Sequence, residues 1–155
     1  MSCHIRAIGR THEQWLQSAL QHYIKRFPTT YRPHISDITT PRRCHSRTLS
    51  QCQNDEHRFL THNLPSGFCI VALDEKGQSY SSTAFADQLG RWYQQYRGVV
   101  FLLGGPDGLT NATKSHAMHL LSLSSLTFTH SCARLLLIEQ LYRAYTINKN
   151  HPYHR

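Results

Sequence analysis

No stretch of this chain approaches the roughly 20 apolar residues that cross a bilayer; the longest apolar runs are residues 99–103 and 135–138. The amino terminus, MSCHIRAIGR, is polar and mixed and lacks the apolar core of a signal peptide. The cytoplasm is the expected location. No C-x-x-C pair occurs, and the five cysteines (Cys3, Cys44, Cys52, Cys69, Cys132) are scattered and odd in number. A disulfide framework is not expected, and Cys3 and Cys69, in strand-like runs, read as core. Neither GxGxxG nor GxxxxGK[ST] is present, so a pyrophosphate cradle is unsupported. A nucleotide-dependent doubly wound enzyme would need such a loop after its first strand, where GRTHEQ stands instead. There is no internal repeat, low-complexity tract or linker, and one domain over 1–155 is expected. Acidic residues are few, nine against 17 lysines and arginines, a formal net charge of +8 with the 12 histidines neutral. Such an excess favours a polyanionic partner, most often nucleic acid.

What is present alternates between two periods. CHIRAIG (3–9) reads as a first strand, and Trp15, Leu16, Ala19, Leu20, Tyr23, Ile24 and Phe27 recur at helical spacing before Pro28. HISDITT (34–40) alternates like a second strand. PRRCHSRTLS (41–50) is a basic loop leading into a weak helix with Leu49, Cys52, Phe59 and Leu60. FCIVALD (68–74) is a buried strand, continuous and apolar as in parallel sheets. EKGQSYSS (75–82) reads as a turn, and Ala84, Phe85, Leu89, Trp92, Tyr93 and Tyr96 mark an amphipathic helix. VVFLL (99–103) is the fourth strand, 111–121 a helix, 122–128 a strand or extended loop, and 131–148 the last helix. Strands separated by helices imply α/β, a mostly parallel sheet with flanking helices and right-handed crossovers.

The last helix carries Leu135, Leu136, Leu137, Ile138, Leu141, Tyr142, Tyr145 and Ile147 over more than one face. A helix that apolar needs cover nearly all round. A homodimer interface supplies it; a central position in a monomer's core is the alternative.

LLGGPDGLT follows the fourth strand, at the end where open α/β sheets bind ligands. Gly104 and Gly105 lack a Cβ and allow close backbone approach. Such a turn serves either a ligand or plain chain geometry. LSLSSLTF (121–128) mixes serines with leucines, which suits a pocket for a flat, neutral heterocycle; an ordinary edge strand has the same look. Two further readings stand. Cys44, Cys52, His57 and His62 could be read as a zinc site, but His57 and His62 are spaced five apart, poor for one helix face, and no metal is expected. A non-catalytic basic RNA-binding module fits the charge equally well but leaves the bare turn and the Ser/Leu segment without a purpose.

Read together, LLGGPDGL, LSLSSLTFTH, RLLLIEQLYRAYTI and NHPYHR, in this order and spacing, resemble the ribosomal RNA large subunit methyltransferase H family, a minimal branch of the SPOUT methyltransferases. IRAIGR, YIKRFP and VALDEKG fit the same pattern, so the resemblance covers nearly the whole chain. It implies a SPOUT-type fold with a carboxyl-terminal trefoil knot, a homodimer, S-adenosylmethionine as cofactor, and methylation of N3 of a pseudouridine in helix 69 of 23S rRNA within the ribosome. The cofactor contacts it implies are Leu73, Gly104, Leu123, Ser124, Ser125, Leu126, Thr127 and Phe128. Thr129 stands where the family usually has proline; Thr129 or Ser131 can cap the helix that follows.

Transfer to a uracil-type N3 needs a base for the N–H proton and a cation beside the ring carbonyls. The candidates are His130, Arg134, Arg143, Tyr153 and His154. Tyr153 can stack on the target base, His154 can take the proton, and Arg143 can face the developing charge. His130 reads alternatively as a structural histidine, Arg134 and Arg143 as ion pairs (for example with Glu139), and the tail alone as a disordered terminus. RNA contact is expected from Arg42, Arg43 and Arg47, with Arg10 and Arg32 as neighbours.

Overall fold

A computed structural model describes residues 2–39 and 47–154, the last by its backbone alone. Five strands, β1 (Ser2–Ile8), β2 (His34–Ile38), β3 (Phe68–Ser79), β4 (Gly98–Leu103) and β5 (His119–Ser122), form one sheet in the order β2-β1-β4-β3-β5. Every pair is parallel, as the alternation of strand and helix requires. Five helices connect or follow them: α1 (Gln14–Ile24), α2 (Leu49–Thr61), α3 (Ser82–Gln95), α4 (Asn111–His116) and α5 (His130–Asn148).

Strand periodicity sorts the core into two layers. Cys3, Ile5, Ala7, Val71, Val99 and Phe101 face α1, α3 and α5; Ile8, Ile70, Val100 and Leu102 face the other side, with Leu60 of α2. β4, with neighbours on both edges, is buried at every residue. That is why GVVFLL is a continuous apolar run and shows no alternation. Cys3 and Cys69 are core, and burial pushes their thiols up to about 12 and about 11.

α5 lies between α1 and α3, the two helices it packs against. Leu137, Ile138, Leu141, Tyr142 and Ala144 are buried, while Cys132, Leu135, Leu136, Glu139, Gln140 and Arg143 are half-buried. The central position accounts for much of the helix's apolar character and leaves one flank partly open.

Three boundaries differ from expectation. The 75–82 segment is not a simple turn: β3 runs on to Ser79 after a register shift between Leu73 and Gln78, where it rejoins β5. The expected 111–121 helix stops at His116, because His119–Ser122 is taken up as β5 beside β3. Backbone pairing outweighs the helical spacing of Met118, Leu120 and Leu121 there. Only Ser122 of 122–128 is strand; the rest is loop. Trp15, placed with the apolar face of α1, is 56% exposed.

Candidate functional site

β4 ends in Leu103, and the chain turns at once. Gly108 N–H donates to the Gly105 carbonyl over 3.0 Å, and Gly108 sits at φ +73°, a conformation glycine adopts without penalty. A Cβ on Gly104 would lie 2.7 Å from the Gly108 carbonyl carbon, so the turn closes only because that atom is missing. Ala72 is level with Leu102 across β3 and β4, and Leu73 pairs with Leu121 of β5. Leu73, Gly104 and the start of the 123–128 segment thus meet at the carboxyl end of three adjacent strands.

A cavity of about 280 Å³ opens beside that rim. Leu123, Ser124 and Phe128 line it, together with Leu121, Ser122, Tyr80, Ser82, Phe85, Leu136 and Gln140. Leu73 and Gly104 are not in its wall: Leu73 packs on the core cluster, and Gly104 acts within the turn. Leu126 is 70% exposed, and the Thr127 hydroxyl donates to Glu75 Oε2 over 3.1 Å. The 123–128 loop is folded on itself, the Ser122 hydroxyl donating to the Ser124 carbonyl and Leu126 N–H to Ser124 Oγ. The wall is largely apolar and aromatic, with four hydroxyls (Tyr80, Ser82, Ser122 and Ser124) and the Gln140 amide, a donor set that fits a flat heterocycle held by its faces and read at its edges. Sequence does not mark Tyr80, Ser82 and Gln140: the first two lie in a segment that reads as a turn, and a glutamine on an apolar helix carries no signal of its own.

Beside Leu73, Asp74 pairs with Lys114 and accepts from Lys76 N–H over 2.9 Å. Burial opposes its charge, yet these partners hold its carboxyl below the ordinary value. A larger cavity, about 550 Å³, lies near the opposite ends of the strands, among Cys3, Phe27, Tyr31, Tyr93 and Tyr145. It touches none of the expected site residues.

Arg143 and Tyr153 are brought together. The tail turns back through a short helical turn, Pro152–His154, and lays the Tyr153 ring against Tyr142 at 4.8 Å. The guanidinium carbons of Arg143 and Arg26 lie 5.2 and 5.5 Å from its centroid. Burial, a hydrogen bond with Tyr23 and the Glu139 charge push the Tyr153 phenol up to about 12. The Arg143 guanidinium is raised by its hydrogen bonds to Glu139. The tail is thus seated on α5, with the His154 side chain outside the described residues.

The remaining candidates separate. Arg134 is buried; it pairs with Asp37 at 2.9 Å, donates to the Gly9 carbonyl at 3.0 Å and bonds the Thr11 hydroxyl. It ties α5 to the ends of β1 and β2, and its ion-pair partner is Asp37 and not Glu139. Thr129 caps α5 through Cys132 N–H, and His130 is the helix's first residue. Arg47 pairs with Asp55 of α2. Arg42 and Arg43 lie outside the described residues, as does Cys44. His57 bonds Thr113, and among the described residues no three His, Cys, Asp or Glu side chains come together.

A family model described as "Predicted SPOUT methyltransferase" matches residues 1–154. Proteins of Burkholderia mallei (strain SAVP1) and Burkholderia pseudomallei (strain K96243), each named ribosomal RNA large subunit methyltransferase H, are 41% identical over 155 residues, all of this chain and 99% of theirs. Among solved structures, a candidate methyltransferase of Legionella pneumophila with SAM bound aligns with TM-score 0.55 at 12% identity, over 93% of this chain and 66% of that one. A methylase-family protein of Haemophilus influenzae Rd KW20 aligns with TM-score 0.59 at 12% identity, over 99% and 70%. At that identity the two structures speak for the fold.

Proposed function

Because the chain belongs to the SPOUT methyltransferases, and its full-length relatives are named for large-subunit rRNA, we propose that it methylates N3 of a pseudouridine in helix 69 of 23S rRNA. The methyl donor is S-adenosylmethionine, which supplies an electrophilic methyl group on a sulfonium. Leu123, Ser124 and Phe128, with Tyr80, Ser82, Phe85 and Gln140, would hold the donor's heterocycle in the 280 Å³ cavity. Leu73 and Gly104 shape the rim, and Ser125, Leu126 and Thr127 complete the loop that covers it. Arg143 presents a cation for charge developing on the ring carbonyls. Tyr153 offers a face on which a base can stack, and His154 is the candidate proton acceptor.

The observation that carries this reading is the adjacency on α5 of Gln140, in the cavity wall, and Glu139, which holds Arg143 and Tyr153. A non-catalytic RNA-binding module would have no use for that adjacency. The open flank of α5 supports a homodimer, in which the tail of one chain can complete the partner's site. The ribosome in the cytoplasm is the expected setting, Arg42, Arg43 and Arg47 the expected phosphate contacts, and a carboxyl-terminal trefoil knot part of the same reading. Mass mapping of large-subunit rRNA from cells lacking this protein tests it. Loss of one methyl group from a pseudouridine is expected, and an unchanged map overturns the assignment.

A further inference from the structure

Glu139 sits where the cavity and the tail meet, and four donor groups converge on its carboxylate. Oε1 accepts from Arg143 Nε over 3.0 Å, from Arg143 Nη2 over 2.7 Å and from the Tyr153 hydroxyl over 3.3 Å. Oε2 accepts from the Gln140 amide over 2.6 Å. The Gln140 carbonyl oxygen accepts in turn from the Ser82 hydroxyl over 2.9 Å. Ser82 and Gln140 both line the cavity. A continuous path of hydrogen bonds therefore runs from the tail, through Glu139, to the cavity wall, joining α3, α5 and the last residues of the chain.

The chemistry of that node requires an anion. Two cations, Arg143 and Arg26, flank the Tyr153 ring, and the Glu139 side chain, 13% exposed, is the carboxylate on which the Arg143 fork closes. A neutral amide at this position would keep one acceptor and turn an N–H₂ toward another donor. Charge-assisted bonds of this kind are short and directional, and they set geometry as well as affinity.

We propose that Glu139 is a positioning residue: its carboxylate fixes Arg143 and Tyr153 in register with the cavity through Gln140, so that tail and donor site are built as one unit. It need not touch either reactant. The catalytic part of the inference rests on the methyltransferase reading above; the anchoring part does not.

Two variants test it, Glu139→Gln and Glu139→Asp, read in three ways. Amide exchange at His151, Tyr153 and His154 reports the tail. In Glu139→Gln it is expected to rise about tenfold or more, as loss of a charge-assisted bond implies. Tyrosinate absorbance, compared with the same measurement on Tyr153→Phe, is expected to show Tyr153 ionising at lower pH once the neighbouring carboxylate is gone. Turnover on large ribosomal subunits is expected to fall about tenfold or more in kcat, with the dissociation constant for S-adenosylmethionine changed less than about threefold. Glu139→Asp, which keeps the charge, is expected to recover part of each loss. Unchanged tail exchange overturns the proposal. Equal losses in kcat, donor affinity and melting temperature overturn it too, since they describe general unfolding. Should the wild-type protein fail to methylate any rRNA, the functional assignment falls, while the exchange and tyrosinate readings still decide the role of Glu139.

Discussion

Single atoms decide the rim. Gly104 lies so close to Gly108 that an added methyl group would meet backbone, which cannot swing aside as a side chain can. Gly104→Ala is expected to cost about 1–3 kcal/mol, the usual range for overpacking, and to weaken S-adenosylmethionine binding by opening the turn. Melting curves and calorimetric titration check both, and wild-type values in each would show the turn to be more forgiving than its geometry. At the other end of the sheet His4 lies across from His34, ring centroids 5.4 Å apart. Burial, His34 and Arg6 hold its imidazole below the ordinary value. A group whose folded-state pKa is depressed binds its proton more readily unfolded, so stability is full above the unfolded value, about 6.5, and declines as the pH falls toward the folded one. Denaturation midpoints measured from pH 7.5 downward are expected to show that decline, and His4→Gln to flatten it. Of these residues Gly104 was legible from sequence, since a glycine pair after a buried strand invites attention. The His4–His34 pairing was not, because nothing in either strand states its neighbour.

Elements were legible where their period was clean and both faces were buried. β4 and the apolar part of β3 stand out as runs, and α5 as a helix too apolar for one contact. The errors fall where tertiary pairing reuses a weak local signal. Residues 75–79 are polar and glycine-containing, yet they continue β3, and Gln78 and Ser79 rejoin β5; residues 117–121 could continue a helix, yet β3 claims 119–122. Gln140 illustrates the limit for the site: its importance comes from Ser82, 58 residues earlier, and no spacing rule links the two. Thr129, by contrast, does what a threonine before a helix is expected to do, accepting from Cys132 N–H over 3.3 Å. Thr129→Ala is expected to cost about 1 kcal/mol in chemical denaturation, and because α5 carries Glu139, Gln140 and Arg143, a measurable loss of turnover should accompany it. A stability unchanged within about 0.3 kcal/mol would mean that packing against α1 and α3 alone fixes where the helix starts.

For the molecule as a whole, charge and layering carry the argument. A formal net charge of +8 on 155 residues gives a long-range attraction to phosphate that does not depend on sequence. Affinity for rRNA is expected to fall linearly on a log–log plot against salt, with a slope of about −0.7 to −0.9 per phosphate contacted. Arg47→Ala, which removes a side chain already paired with Asp55, should flatten that slope by less than one contact. A salt-independent affinity would point to recognition by stacking and shape. The α/β class followed from element order alone, whereas the strand order β2-β1-β4-β3-β5 did not, since it depends on which strands find each other across the chain.

That strand order carries a consequence for biosynthesis. β1 and β3 have no contact as neighbours; each pairs with β4, which is made after both. A nascent chain cut short before residue 98 therefore holds the β1–β2 pair and a lone, apolar β3, with nothing to join them. The protein cannot begin to close its core until roughly two-thirds of it has been translated and has cleared the exit tunnel, which exposes the emerging polypeptide to chaperones for most of its synthesis.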